Sequence, residues 1–229
     1  MSFNLSRPIT AALTLRLYPG ILFCMSFFEI LKRGLDIIIS LSLLILLWPV
    51  LLLIVIVIKV SSKGSAIFKQ QRVGKNGNPF TFYKFRTMTI DTDPFGPSPK
   101  SALDPRLTKL GRILREYSLD ELPQLFNILK GDMSFVGPRP LYLSQITEWN
   151  ERQKKRLLVK PGLTGLAQIS GRGELTREEK LDLDVKYVET AGLLADMKII
   201  LTTIAYVFSR KGIYEKRYSQ TESTRGKQP

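Results

Sequence analysis

The chain has 229 residues, a net charge of +14, 44% hydrophobic and 24% charged residues, one cysteine and no histidine. Such a balance excludes a disordered chain, a lone cysteine excludes an internal disulfide framework or a cysteine-based zinc site, and the lack of histidine leaves carboxylates as candidate acids, bases or nucleophiles. The charge fits nucleic acid, or an anionic membrane face together with an anionic substrate.

Residues 1–28 read as an N-terminal extension. Arg7 and Arg16 interrupt a weakly apolar run, and Pro19-Gly20 breaks it. A secretory signal needs a cleaner apolar core and a small-residue cleavage site. Residues 37–58 then contain no charge. At 1.5 Å per residue they reach about 33 Å, enough to cross a bilayer core. The run is apolar on every face, unlike a surface helix, and this tips the charge argument toward a membrane. Pro49 in its middle lacks an N–H and clashes with the preceding turn, so a kink or break is expected there. Lys32 and Arg33 precede the run, and Lys59 and Lys63 follow it. Basic residues on both flanks permit a hairpin over 29–62 that enters and leaves on one side; a kinked single span fits the same features.

Residues 63–211 read as a compact domain. Apolar segments around 66–68 and 80–83 flank a turn-rich centre, which predicts a β-hairpin. Lys84 and Arg86 alternate with Tyr83 and Phe85, placing both cations on one strand face, either as ligands or simply solvated. Residues 91–100, rich in Pro and Gly, predict a mobile loop able to act as a lid. Asp104-Pro105 predicts a helix start, with Leu107, Leu110, Leu114 and Tyr117 inward. Arg106, Lys109, Arg112 and Arg115 fall around the rest of that cylinder.

The stretch 118–140 carries the most chemistry. Ser118-x-x-Glu121 matches a capping box, while Pro123 argues for a later start with Asp120 as N-cap. Either way two adjacent carboxylates meet a positive helix end. Simple capping is what physics alone favours for them. Leu122, Leu125, Phe126 and Leu129 form the predicted apolar face, and Gly131 the stop. Arg139, held between prolines, suits bidentate contact with phosphate. Further on, 148–156 and 178–188 read as polar helices. The Gly-rich 159–172 reads as a loop matching neither a P-loop nor GxGxxG. Residues 197–208 read as an apolar helix, interfacial or core, beside Lys198, Arg210 and Lys211. The tail 212–229 is polar.

Several motifs occur together and in order: Lys32-Arg33-x-x-Asp36, Pro49, Tyr83-Lys84-Phe85-Arg86-Thr87-Met88, Ser118-Leu119-Asp120-Glu121-Leu122-Pro123-Gln124, Gly131 through Pro140, and Lys160-Pro161-Gly162-Leu163-Thr164-Gly165. With these the chain resembles the bacterial sugar transferase family, the monotopic phosphoglycosyl transferases, in its small single-domain form. The resemblance implies an α-rich fold with a small β-hairpin, a re-entrant helix-break-helix, interfacial amphipathic helices and a cytoplasmic catalytic domain at the bacterial inner membrane. It implies transfer of a phospho-sugar from a UDP-sugar to polyprenyl phosphate, releasing UMP, with Mg²⁺ as cofactor. Downstream glycosyltransferases follow as expected partners. It maps the catalytic dyad onto Asp120 and Glu121, with Asp120 as nucleophile and both as candidate metal ligands. Lys84, Arg86, Arg115 and Arg139 are the phosphate candidates. One departure stands out: small members carry Ser before the central proline, and here the residue is Trp48. A non-enzymatic basic scaffold for glycan assembly is the competing reading. A nucleic-acid binder is disfavoured, since no binding motif is recognised.

Overall fold

The computed structural model describes residues 19–209 and 212–214, with side chains from Phe27 onward. The extension expected over 1–28 lies largely outside these residues, as do Arg210, Lys211 and the tail from 215. The elements are α1 (Pro19–Ser61), β1 (Ile67–Val73), β2 (Pro79–Phe85), α2 (Lys109–Glu116), α3 (Gln124–Lys130), β3 (Ser134–Val136), α4 (Glu151–Lys154), β4 (Gly162–Thr164), α5 (Leu166–Ile169), α6 (Arg177–Thr190) and α7 (Leu193–Ser209). The α-rich expectation with one small antiparallel hairpin holds, β1 pairing with β2 from Ile67–Phe85 to Val73–Pro79. A second, parallel pair, β3 with β4, was not foreseen.

Helix α1 contains the stretch Phe27–Ser61, long and apolar enough to cross a membrane, with a mean hydropathy of 3.2 in an 18-residue window. The expected break at Pro49 is not seen: helical structure runs through it. Proline removes one backbone donor and crowds one carbonyl, whereas ending the helix in an apolar setting would orphan several more groups.

Both halves of α1 are fastened to the same domain. In the first half, Lys32 Nζ donates to the Val136 carbonyl and the Tyr187 hydroxyl, each at 2.8 Å, and pairs with Asp196. Arg33 donates to the Ile128 and Leu129 carbonyls at 2.6 and 2.8 Å. It thereby satisfies the last carbonyls of α3, where positive charge is also favoured. Asp36 accepts from the Ser134 hydroxyl and the Phe135 N–H, each at 3.1 Å. In the second half, Ile54 and Ile58 are buried with Ala66, Phe85 and Leu114. The three charged residues before the apolar run are therefore docking groups.

The β3–β4 pair depends on glycine. Gly137 N–H donates to the Thr164 carbonyl and Gly162 N–H to the Pro138 carbonyl, both at 2.9 Å. A Cβ on Gly137 or Gly162 would collide with the facing backbone, so only glycine permits this approach. The Gly-rich 159–172 loop thus brings backbone to backbone here.

Helix α2 starts later than predicted. Asp104 folds back on Arg106, at 3.0 Å to its N–H and 2.8 Å to its guanidinium. Thr108 is the real N-cap, accepting from Gly111 N–H at 2.9 Å. Leu107 and Leu114 are buried as expected, while Tyr117 is exposed. The 91–100 loop is irregular but pinned: the Pro94 carbonyl accepts from Gln70 at 2.9 Å, and the Pro97 carbonyl from Arg106 at 2.9 Å. Helix α7 buries Asp196 and Ile199 and leaves Leu194, Met197, Leu201, Ile204 and Phe208 exposed along one stripe.

Candidate active site

The stretch from Ser118 does not fold as the capping box predicts. Ser118 is left-handed (φ 57) and its side chain makes no cap. Leu119–Glu121 forms a single 3-10 turn, and α3 begins only at Gln124, with Pro123 as its N-cap. Asp120 and Glu121 therefore stand one turn ahead of the helix. Glu121 finds a better partner than a backbone N–H: Arg139 Nη2 lies 2.8 Å from its Oε1. The pair with Arg139 carries charge on both partners, whereas a cap bond to a backbone N–H carries it on the carboxylate alone. Gly131 closes α3 in the left-handed conformation, as predicted. The inward face differs by one residue, with Ile128 buried and Phe126 exposed.

Asp120 is 6% exposed. Among the described residues, its carboxylate accepts no hydrogen bond. Burial pushes its pKa up to about 6, opposed by the Lys84 ammonium and reinforced by the Glu121 charge. On Glu121, burial acts upward too, but the charge and hydrogen bond of Arg139, with Arg172 and Lys84, outweigh it and hold the carboxyl below its ordinary value. Two adjacent carboxyls are thus driven apart, a pattern found where acid–base or nucleophilic roles are divided.

Lys84 lies in the field of both carboxylates. Burial first, then the neighbouring Arg115 cation, lower its pKa to about 8. Strand β2 is held beside α3 by a device that sequence reasoning missed. Asn127, fully buried, donates from Nδ2 to the Thr81 carbonyl at 2.7 Å and accepts the Tyr83 N–H at 3.2 Å. Its side chain thereby substitutes for a neighbouring strand. Arg115 donates from Nε to the Thr87 hydroxyl at 3.0 Å, which fixes its stem.

Of the predicted residues, the structure brings together Asp120, Glu121, Lys84, Arg115 and Arg139. Arg86 is elsewhere. Its guanidinium donates to the Lys63 carbonyl at 2.5 Å and the Ser62 carbonyl at 3.0 Å, closing the end of α1. Arg172, which was not singled out, belongs to the group. It acts electrostatically on both carboxylates and donates to the Ser118 hydroxyl at 3.3 Å. The only signal for it was its setting, Gly171-Arg172-Gly173. A second omission is Arg156. It is buried against Asp184, with its Nη2 2.7 Å from Asp184 Oδ2, and donates to the Arg139 carbonyl at 2.5 Å. That bond anchors the loop from which Arg139 reaches Glu121.

An apolar groove of about 840 Å³ runs between α1, the hairpin and α3, reaching Pro123. Leu44, Trp48, Leu51 and Val55 line one side, and Pro123 and Phe126 the other. No cluster of three or more metal-ligating acidic, Cys or His side chains occurs among the described residues. A Mg²⁺ ion held by one or two carboxylates plus substrate phosphates needs no such cluster. An unbonded Asp120 next to Glu121 fits that donor set.

The sequence profile described as "Bacterial sugar transferase" matches residues 27–210. The uncharacterized sugar transferase EpsL of Bacillus subtilis is 42% identical over 197 residues, covering 86% of this chain and 96% of that protein. The UDP-glucose:undecaprenyl-phosphate glucose-1-phosphate transferase of Caulobacter vibrioides is 42% identical over 222 residues, covering 90% of this chain and 80% of that protein. With the Klebsiella pneumoniae protein of the same name, identity is 42% over 193 residues, covering 81% of this chain but 42% of that protein. A match spanning the hairpin, the dyad and the docking motif of α1 leaves one conclusion: the chain belongs to the bacterial sugar transferase family.

Proposed function

We propose that the protein transfers a phospho-sugar from a UDP-sugar to polyprenyl phosphate, releasing UMP and giving a polyprenyl diphospho-sugar. The observation that carries this reading is the divided dyad: a buried, unbonded Asp120 beside a Glu121 already committed to Arg139. In the first half-reaction an Asp120 oxygen attacks the sugar-bearing phosphorus. The phosphoanhydride bond breaks and UMP leaves with the bonding electrons. In the second, a phosphate oxygen of the acceptor attacks the same phosphorus, and Asp120 departs as carboxylate. A phosphate monoester needs little base assistance, so Glu121 orients the acceptor or a cation. Lys84, Arg115, Arg139 and Arg172 bind and neutralise the diphosphate. Asp120 and Glu121, together with substrate phosphates, would hold Mg²⁺, which would neutralise charge on the phosphate oxygens.

The membrane arrangement follows from α1. Its two halves fasten to one domain although helical structure runs through Pro49, which favours a re-entrant segment bent at that proline over a straight crossing, with that domain on the cytoplasmic face of the inner membrane. The outward apolar stripe of α7 suits an interfacial position. The apolar groove lined by Trp48 and Phe126 suits the isoprenoid chain of the acceptor.

A screen of purified protein with undecaprenyl phosphate and a panel of UDP-sugars tests the reading through UMP release. At least one donor is expected to turn over; release from none of them supports the scaffold instead. The pH profile of kcat/KM is a second check. Asp120 attacks only when ionised, so activity rises with pH through about 6. Lys84 binds phosphate only when protonated, so activity falls above about 8. A profile flat from roughly pH 5 to 9 would contradict both assignments.

A further inference from the structure

The sequence reads residues beyond 211 as a polar tail, yet part of that tail is built into the site. Past α7 the chain turns at Gly212 (φ +64). Residues 212–214 then lie against the turn that carries Arg172. Gly173 N–H donates to the Gly212 carbonyl at 2.9 Å. A Cβ on Gly173 would collide with the Tyr214 carbonyl oxygen, so position 173 must be glycine for this contact to form. From the other side, a Cβ on Gly212 would lie 2.9 Å from the Gly171 carbonyl oxygen and 3.2 Å from the Arg172 Cβ.

The turn so clasped is strained. Arg172 itself has φ 51. A left-handed non-glycine residue costs on the order of 1–3 kcal/mol and persists only where its surroundings over-determine it. Residues 212–214 are those surroundings. The Tyr214 hydroxyl is buried without a hydrogen-bond partner among the described residues. Glu116, Arg115 and Arg112 of α2 are the charges acting on that hydroxyl. The buried Arg112 Nε likewise lacks a partner. Residues 212–214 therefore pack on the Arg172 turn, and the Tyr214 hydroxyl lies in the field of the Arg115 helix.

We propose that residues 212–214 form a positioning strap that holds Arg172 in its left-handed conformation beside Asp120 and Glu121. Tyr214 is then a positioning residue, acting through Arg172 without touching substrate. The activity readout rests on the transfer reaction proposed above; the structural readout does not.

The test is a double-mutant cycle in the full chain with Tyr214→Ala and Arg172→Ala, and Gly173→Ala as a second way to displace the strap. Tyr214→Ala is expected to lower kcat/KM for the UDP-sugar about tenfold, with little change in thermal midpoint. Added to Arg172→Ala, it should change kcat/KM by less than about twofold, because residues acting through one another are not additive. Hydrogen–deuterium exchange over 171–174 should rise in Tyr214→Ala and Gly173→Ala. Losses that multiply in the double variant, or unchanged exchange over 171–174, overturn the strap. If the wild-type protein releases no UMP from any donor, the transfer reading has failed, and the exchange experiment alone decides the strap.

Discussion

Asp120→Asn is expected to abolish the first half-reaction, with UMP release falling by at least about 10³-fold. The measurement is single-turnover: wild-type enzyme with a UDP-sugar and no acceptor should release up to one equivalent of UMP per site. Asparagine keeps the shape and cannot form the acyl phosphate. It also removes a charge that burial disfavours, so the thermal midpoint should hold or rise. Loss of activity therefore cannot be ascribed to unfolding. Glu121→Gln differs in kind: it releases Arg139 but retains the nucleophile, so a slowed burst should remain. Normal turnover by Asp120→Asn would remove the aspartyl intermediate and leave the scaffold as the better account.

Arg156→Met is expected to be the most damaging substitution away from the dyad, costing about 3–5 kcal/mol. Arg156 and Asp184 are each 3% exposed, and Asp184 Oδ1 has no hydrogen-bond partner among the described residues. Removing the guanidinium strands a buried carboxylate and takes away the cation stacked 4.8 Å over Trp149. Burial already raises the Asp184 pKa, against the pull of Arg156. Without that pull it rises further above its unfolded value. A group with a raised folded pKa contributes stability at low pH and loses it as pH rises through that pKa. The variant should therefore be least stable at alkaline pH, as read by denaturant titration at about pH 5 and 8. Arg156→Met combined with Asp184→Leu should recover much of the stability, because a buried pair is often replaceable by apolar residues. It should not recover activity, since nothing then holds the Arg139 carbonyl. A single variant as stable as wild type would show that the pair contributes little.

The legible parts of the chain were those with strong local pattern. Alternation with a turn-rich centre identified the hairpin, and helical spacing with Gly131 identified α3. The cations Lys84, Arg115 and Arg139 were found because their residue types suit phosphate, and the structure does gather them. Errors arose where an unforeseen partner claimed a side chain. Glu121 matched a capping box, but Arg139 claimed it from 18 positions away. Asp104 matched a cap, but Arg106 took its carboxylate. Arg86 shared a face with Lys84 on paper, yet it leaves the strand's end to meet the carbonyls closing α1. Strands of three residues, paired in parallel as in β3 and β4, carry too little periodicity to be read at all. Arg172 was missed because a cation between glycines gives no sign of its destination.

The fastening of α1 also has a temporal side. Lys32 is made early, while Val136, Tyr187 and Asp196 lie 104, 155 and 164 positions later. At about 5–20 residues per second, the last of them leaves the ribosome roughly 10–30 s after Lys32. During that interval the apolar helix exists without the groups that receive its charges. It must be sheltered by lipid or by a chaperone while it waits. Contacts of such long sequence separation form late and slow folding. The apolar helix, made before its partners, is thus the last to be locked, and the domain that carries the dyad cannot reach its final form until that helix is in place.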